Sequence, residues 1–370
     1  MSFMRLAKLA FCVVVMAMTP VAAQASAAPF VSSFNTITNI ASTVPKNGDV
    51  NPYGLVVVPS TTGRLVAGDA LVSNFNDRFN LQGTGRTIVQ ISPAGSLSVF
   101  ANLNPENLQG ECPGGIGLTT ALVALRSGWV IVGSLPTKDG MSGTMRAGCL
   151  LVINRNGRVI ETISGRPING PWDMTAIDNG SSATLFVTNV LNGTVAASPS
   201  TVHRGTVVRI RLDIESGDAP RVVSERVIGT GFAERTDQGA LVVGPTGLGL
   251  GTNGTLYVSD SVSNRIIAIA NAAGRSSSTE GTVVSSGGAL NDPLGMAIAP
   301  NGDILTVNGG DGNLVETAPD GEQVAVKTLN NTPAPPGAPG NGTLFGVAVN
   351  QAHDGVLFVD DSTNTLNLLH

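Results

Sequence analysis

The sequence predicts an all-β fold, a six-bladed β-propeller with four antiparallel strands in each blade. A short apolar strand followed by a small polar residue, a turn and another strand recurs along the chain, for example at 254–269 and 302–317. The 370 residues include 46 glycines and only 13% charged residues, a composition typical of short strands joined by tight turns. Beyond the first residues, no helical periodicity competes with this pattern.

The first 27 residues predict a cleaved export signal. Arg5 and Lys8 precede a short apolar run, and small residues allow cleavage after Ala25 or Ala27. The run is too short to span a bilayer with its polar flanks intact, so we expect no membrane span after cleavage. The chain is therefore predicted to be exported, either to a periplasm or out of the cell; a retained anchor is the alternative.

Six units of the chain share one order of strands and turns. Each begins with a turn that resembles Pro-x-Gly, which we call the lead-in turn, and continues through an apolar first strand, a second strand, a third and a fourth. A period of about 50 to 75 residues with four strands matches one propeller blade per unit. The predicted lead-in turns are Pro52-Tyr53-Gly54, Pro113-Gly114-Gly115, Pro171-Trp172-Asp173, Pro245-Thr246-Gly247, Pro293-Leu294-Gly295 and Leu344-Phe345-Gly346.

The sixth unit ends at His370 after three strands, which would leave an open blade edge. The β-branched stretch at 30–40 belongs to no other unit. We predict that it supplies the missing outer strand and joins the two ends of the chain in one blade. Residues 28–370 are then expected to form a single propeller domain.

The segments at 245–266 and 293–308 resemble NHL-repeat propellers. Both combine a Pro-x-Gly turn, an apolar strand, an Asn-Gly turn and a second strand with a terminal Asp or Asn, and the first adds an Asn-Arg pair. The resemblance implies a six-bladed fold and says little about function. More distantly, the pattern is similar to the lactonase and gluconolactonase-like propellers and to the strictosidine-synthase-like propellers.

A short polar residue stands at the end of the second strand in every unit. In an antiparallel blade this position lies beside the start of the first strand, at the propeller end that surrounds the central channel. Since Asn and Asp at strand ends bond nearby backbone amides, and since the position repeats in every blade, we interpret the set as a structural ring. Its predicted members are Asn74, Ser134, Asn189, Asp260, Asn308 and Asp361.

The lead-in turns add side chains at the same channel mouth. The candidates for ligand binding are Glu111, Asn169, Trp172, Asp173, Asn291 and Asp292. Trp172 is expected to form an apolar wall. Oxygen-rich sets of this kind suit Ca²⁺, and the similarity to lactonase-type propellers implies Glu111, Asn169, Asp173 and Asp292 as its ligands. A structural role in turns is the alternative, above all for Asn291-Asp292 before Pro293.

Charge and cysteine content restrict the partners and the compartment. A formal net charge of −5 leaves no basic face for phosphates, so we expect no nucleic-acid partner. After signal cleavage the remaining cysteines are Cys112 and Cys149. In an oxidising compartment they are predicted to form a disulfide; two buried thiols are the alternative.

Three long insertions follow second strands in the first three units, at 75–85, 136–148 and 191–205. Loops on one face of a rigid scaffold are where recognition is usually located. We therefore predict a binding module for a small molecule, a glycan or a protein at this face. The alternatives are a calcium-dependent lactonase or esterase with its site in the channel, and a structural envelope protein. The few histidines disfavour a His-based catalytic triad.

Overall fold

The computed structural model describes Met1, residues 28–215 and residues 218–370. Its strands form six antiparallel sheets arranged as the blades of a β-propeller, which confirms the predicted fold class. Apart from Met1, the predicted signal peptide at 1–27 lies outside the described residues. No helix within the described ranges has both the length and the hydrophobicity needed to cross a bilayer.

The strands follow the predicted blade order. Strand β1 (Ile37–Ser42) precedes the first blade. Blade 1 contains β2 (Val50–Val57), β3 (Ala70–Asn76), β4 (Thr87–Ile91) and β5 (Leu97–Asn102), and blade 2 contains β6 (Leu122–Ala124), β7 (Val130–Ser134), β8 (Cys149–Ile153) and β9 (Val159–Ser164). Single turns of 3₁₀ helix lie at Pro105–Asn107, Ser142–Thr144 and Ser261–Ser263.

Blade 3 departs from the four-strand pattern. It contains β10 (Pro171–Asp178), β11 (Ser182–Asn189), β12 (Val202–Asp213), β13 (Arg221–Asp237) and β14 (Leu241–Val243), with the short helix α1 (Thr194–Ala197) between β11 and β12. Strand β13 runs on past its partner β12, and its end pairs with β14. This extension forms a hairpin close to the lead-in turn of blade 4.

Blades 4 and 5 are regular, and blade 6 joins the two ends of the chain. Blade 4 contains β15 (Pro245–Leu250), β16 (Leu256–Asp260), β17 (Arg265–Ile269) and β18 (Thr282–Ser286). Blade 5 contains β19 (Pro293–Ile298), β20 (Ile304–Asn308), β21 (Asn313–Thr317) and β22 (Gln323–Thr328). Blade 6 contains β23 (Leu344–Val349), β24 (Val356–Asp360) and β25 (Thr365–Leu369).

The last blade is completed by the N-terminal strand, as predicted. Strand β1 pairs antiparallel with β25, with Ile37 opposite Leu369. The pairing begins later than the predicted segment at 30–40, because the amides of Phe30 and Val31 bind the Glu316 carboxylate of blade 5 instead of a neighbouring strand.

The glycine of the lead-in turn is required by the close packing of neighbouring first strands. A Cβ at Gly346 would overlap the carbonyl oxygen of Tyr53 in blade 1, and Gly295 has the same relation to Phe345. In the blades that have it, this glycine therefore lets the first strand approach the next one around the channel. The apolar core lies between adjacent blades, where facing side chains form separate buried clusters.

Two expectations about blade 2 have different outcomes. The predicted disulfide between Cys112 and Cys149 is confirmed, with the two Cα atoms 5.2 Å apart. The predicted lead-in turn at 113–115 is wrong, because Leu122 of the true first strand pairs with Val132 and places the turn at 118–121. This turn contains threonines in place of the Pro-x-Gly signal.

Candidate functional site

A cavity of about 550 Å³ opens at the channel mouth on the side of the lead-in turns. We call it the mouth cavity. All six blades contribute to its lining, so it exists only in the closed ring. Its polar side chains are Asn51, Asn80, Gln82, Thr120, Arg235, Asp237, Ser261, Asn264, Asn291, Asp292, Asn341 and Asp361, and its aromatic side chains are Tyr53, Phe75, Trp172 and Phe345.

The aromatic side chains form the floor of the mouth cavity. Tyr53 stacks on Phe345 with ring centroids 5.1 Å apart and meets Trp172 edge-on at 5.8 Å. The indole nitrogen of Trp172 donates a 2.8 Å hydrogen bond to the Tyr53 hydroxyl, which satisfies both buried polar groups. The middle residue of the lead-in turn is aromatic in three blades, and this signal identifies the floor.

Asp292 presents the least engaged carboxylate in the mouth cavity. Its backbone has a φ of 50°, and its amide donates a 2.6 Å bond to the side-chain oxygen of Asn264. Among the described residues, no hydrogen bond reaches its carboxylate oxygens. Burial raises the pKa of Asp292 to about 6, the charge of Asp237 adds to this rise, and Arg235 opposes it. Asp292 can therefore exchange a proton near neutral pH.

Asp361 lies on the blade 6 side of the same cavity. With its amide nitrogen turned toward Asp361, the side chain of Asn51 donates to this carboxylate and accepts a 2.8 Å bond from Asn76. Burial raises the pKa of Asp361 to about 7, and the adjacent charge of Asp360 adds to the rise. The cavity thus contains a second carboxyl that is readily protonated.

The hairpin between β13 and β14 adds a cation and a third acid that sequence analysis missed. Arg235 pairs with Asp237 at 2.7 Å, and both line the mouth cavity. The only sequence signal was the length of chain left between the fourth strand of the third unit and Pro245. With three carboxyls and one guanidinium, the lining carries more negative than positive groups.

The ring side chains hold the lead-in turns instead of lining the cavity. Asn189 accepts bonds from the amides of Asn169 and Gly170, and Asn308 accepts one from Asn291. Asn74, Ser134, Asn189, Asp260 and Asn308 are all fully buried. Of the six predicted ring residues, Asp361 lines the mouth cavity.

The sixth ring position belongs to Asp360 and not to Asp361. Leu344 pairs with Asp360, as Pro293 pairs with Asn308 and as Pro245 pairs with Asp260. Asp360 is buried and accepts bonds from Asn330 and Ser362. The assignment of Asp361 to the ring is therefore corrected by one residue, because the two successive aspartates are indistinguishable in the repeat.

Asp173 lies behind the aromatic floor, in a second cavity of about 460 Å³ formed by the first strands along the channel. It occupies the position of the lead-in glycine in blade 3. Its carboxylate accepts a 2.9 Å bond from the Leu248 amide of blade 4 and a 2.8 Å bond from its neighbour Met174. The side chain keeps limited contact with the channel, and its enclosure raises the pKa of Asp173 to about 7.

The four predicted calcium ligands do not come together. Glu111 is exposed, and its carbonyl accepts a bond from Thr162 in the outer strand of blade 2. Asn169 bonds Asn192 and lines a separate surface pocket, whereas Asp173 and Asp292 lie on opposite sides of the aromatic floor. Within the described ranges, no group of three or more His, Cys, Asp or Glu side chains is placed to hold a metal. These residues therefore do not fit a calcium centre.

Two of the three insertions cover one side of the mouth. The Gln82 side chain from 75–85 donates to the carbonyl of Gly239 in the β13–β14 hairpin. Thr137 from 136–148 donates to the carbonyl of Gln82. These contacts connect blades 1, 2 and 3 above the cavity and leave Phe79 and Met141 exposed on the rim.

The raised carboxyl pKa values predict an unusual dependence of stability on pH. Asp173, Glu234 and Asp361 have pKa values of about 7, and Asp292 has one of about 6. Because the folded chain holds these protons more tightly, stability should fall as pH rises from about 4 to about 7 and then level off. Thermal unfolding should therefore occur at a higher temperature near pH 5 than near pH 7.5, by calorimetry.

A matched pair of variants tests this assignment. Asp361→Asn should flatten the dependence of the melting temperature on pH. Glu111→Gln removes an exposed carboxyl and should leave the dependence unchanged. A melting temperature that increases from pH 5 to pH 7.5 would contradict the prediction.

Comparison with known proteins supports the fold. No protein-family model matches the chain, and no curated protein matches its sequence. A gluconolactonase from Xanthomonas campestris is 15% identical, with a TM-score of 0.51, over 90% of this chain and 88% of its own. Regucalcin from Agrobacterium tumefaciens, a calcium-binding protein, is 12% identical, with a TM-score of 0.53, over 89% of this chain and 94% of its own. A candidate glucose dehydrogenase from Thermus thermophilus is 14% identical, with a TM-score of 0.51, over 90% of this chain and 99% of its own. These likenesses show the propeller fold, and their different names show that the fold does not fix one activity.

Proposed function

We propose that the protein is an exported binding module that takes up a small, uncharged, polyhydroxylated molecule of the sugar type in its mouth cavity. The observation that carries this proposal is the Asp292 carboxylate, which is partly buried in the cavity wall and accepts no hydrogen bond from the described residues. Partial burial of a carboxylate without donors is unfavourable, and a hydroxyl group of a ligand can supply the missing bond.

The rest of the lining supports the same class of ligand. Side-chain amides such as Asn291 and Asn341 offer both donors and acceptors, as vicinal hydroxyl groups require. The aromatic floor offers an apolar surface for the C–H face of a sugar ring. The excess of carboxyls disfavours phosphorylated or other anionic ligands. A cavity of about 550 Å³ has the volume of an ordinary small-molecule site.

Titration calorimetry with neutral monosaccharides, disaccharides and aldonolactones tests this proposal. Asp292→Asn should weaken binding about 10- to 100-fold, because a hydrogen bond to a charged group contributes more than a neutral one. Glu111→Gln makes the same change of charge outside the cavity and should bind normally. Equal affinity of the two variants, or binding of none of these compounds, would refute the proposal.

Hydrolysis of a sugar lactone in the same cavity is the second candidate, and the pKa of Asp292 near 6 favours it. The ionised carboxylate would take a proton from water as the water oxygen attacks the lactone carbonyl. The ring oxygen would then leave as a hydroxyl after receiving that proton. Hydrolysis above the spontaneous rate should increase with pH through about 6 and disappear in Asp292→Asn.

Calcium enters this second candidate only by analogy, since regucalcin is a calcium-binding protein. The predicted ligands of this chain are dispersed, so we assign no step to the metal. A chelator should therefore leave the melting temperature of the purified protein unchanged. A decrease with chelator that calcium reverses would show that a different set of oxygens binds the ion.

Export rests on the sequence signal and is consistent with the disulfide. Disulfides persist mainly in oxidising compartments, and Cys112 and Cys149 form one here. Fractionation of expressing cells, with a reducing-agent gel shift of the exported protein, tests this part of the proposal.

A further inference from the structure

Two carboxyls on blade 5 form a buried acid pair. Glu316 on β21 is fully buried, and Asp303, which precedes β20, is 8% exposed. Burial and the proximity of Glu316 raise the pKa of Asp303 to about 6, and Asp320 adds to the rise. Among residues 28–215 and 218–370, no lysine, arginine or histidine forms an ion pair with either carboxyl. Buried negative charge without a cation is unfavourable.

The start of the described chain lies on this acid pair. The amide of Val31 donates a 2.9 Å bond to one oxygen of Glu316, and the amide of Phe30 donates a 2.5 Å bond to the other. Val31 is fully buried, and Phe30 packs edge-on against Phe34 with ring centroids 5.0 Å apart. These contacts fix the N-terminal segment around Phe30 and Val31 in one position on blade 5.

Asn301 links Ala28 to both carboxyls. Its amide nitrogen lies 2.8 Å from the Asp303 carboxylate, 3.2 Å from that of Glu316 and 3.5 Å from the carbonyl oxygen of Ala28. Since the nitrogen and the carbonyl oxygen of one residue are only about 3 Å apart, these contacts place the nitrogen of Ala28 no more than about 10 Å from either carboxylate. The nearby Lys327 ammonium is occupied by the carbonyls of Ser32 and Phe34.

The sequence offers a way to place a positive charge at this nitrogen. Ala25-Ser26-Ala27 directly precedes Ala28 and provides small residues at both positions that signal cleavage requires. Cleavage after Ala27 converts the Ala28 nitrogen into an α-ammonium. Cleavage after Ala25 would put that charge two residues farther from the pair.

We propose that Asp303 and Glu316 form a binding site for the α-ammonium of Ala28, and that processing after Ala27 completes this site. This inference rests on the proposed export and is independent of the ligand in the mouth cavity. The mature N-terminus then supplies the cation that the acid pair lacks, and it fixes the segment that leads into β1. Processing would thereby stabilise the blade that closes the ring.

Three N-terminal forms of the protein test this inference without requiring export. A removable fusion yields chains that start at Ala28 or at Ser26, and enzymatic acetylation of the first chain removes its charge. Near neutral pH the free Ala28 form should melt about 2 °C or more above the other two. The pKa of its α-amine, measured by the pH dependence of labelling, should exceed the usual ~7.7–8.0.

The pH dependence has a defined sign. An ammonium whose pKa is raised by folding stabilises the fold fully between about pH 6, above which Asp303 is ionised, and its own unfolded pKa of about 8; this stabilisation is lost as pH rises through the folded value. The difference between the free and acetylated forms should therefore vanish near pH 10. Glu316→Gln should reduce the difference, whereas Glu322→Gln, an exposed change on the same blade, should preserve it.

Other outcomes would overturn the inference. Equal melting temperatures of the three forms, together with an ordinary α-amine pKa, would show that the ammonium does not bind the acid pair. A chelator that destabilises the acetylated form would show that a metal ion neutralises the pair. An exported chain that starts at Ser26 by mass spectrometry would exclude the processing site while leaving the binding site testable.

Discussion

Replacing Gly346 by alanine should destabilise the propeller by about 3 kcal/mol, at the upper end of the range for overpacking a dense interior. The added Cβ would overlap the carbonyl oxygen of Tyr53 and press on Leu55. Both belong to the first strand of blade 1, so the clash can be relieved only by moving two blades apart. Denaturant unfolding of the purified variant measures the effect.

Gly143→Ala is the matched control. Gly143 has no neighbour within 4 Å of an added Cβ, and its φ lies outside the left-handed region. This variant should have a free energy of unfolding close to that of the original chain. If the two variants are equally stable, close approach of first strands is not what the lead-in glycine provides.

The Gly346 change should also affect the mouth cavity. Tyr53 stacks on Phe345 and accepts the hydrogen bond of Trp172, so a shift of its backbone disturbs the whole aromatic floor. We therefore expect weaker ligand binding in Gly346→Ala even under conditions in which it remains folded. Stability and recognition depend on the same contacts at this point.

The blades and their closure were predictable because each is encoded locally. The Pro-x-Gly turns, such as Pro293-Leu294-Gly295, mark the starts of first strands, and the shortage of a fourth strand before His370 requires a strand from elsewhere. Both signals depend on turn chemistry and strand pairing within one blade. The signals are local, although the closure that they predict pairs β1 with β25 from opposite ends of the chain.

Blade 2 shows where local signals fail. Pro113-Gly114-Gly115 has the composition of a lead-in turn, yet it belongs to the loop that the disulfide holds. The true turn at 118–121 ends in Ala121, a small residue at the position of the lead-in glycine. Composition alone cannot distinguish the turn that leads directly into a first strand from another turn a few residues earlier in the same loop.

The site was only partly predictable because its asymmetry comes from insertions. Asp292 and Trp172 stand at repeated positions and could be found by alignment of the units. Arg235 and Asp237 reach the cavity through a hairpin that, within the part of the chain the structure describes, no other blade contains. In sequence, Glu111 stands beside a turn like those of Trp172 and Asp292. The turn at 113–115 does not start the first strand of blade 2, so Glu111 lies away from the cavity.

Removing the disulfide should cause the largest loss of stability among these predictions. Cys112 and Cys149 are 37 residues apart, and closing a loop of this length stabilises a fold by about 4 kcal/mol in the chain-entropy model. The double variant Cys112→Ala/Cys149→Ala should therefore unfold at a clearly lower denaturant concentration. Because the bridge holds the loop that leads to Leu118 and Thr120 in the mouth cavity, ligand affinity should also fall.

A thiol reductant distinguishes the bridge from the packing of the two side chains. It should destabilise the original chain to nearly the same extent as the double substitution, and it should have no effect on the double variant. If reductant leaves the original chain unchanged while the substitutions destabilise it, Cys149 contributes through burial, since it is fully buried in the apolar cluster between blades 1 and 2. The blade 2 turn would then keep its position by packing alone, and the affinity of the mouth cavity would not depend on the redox state of the compartment.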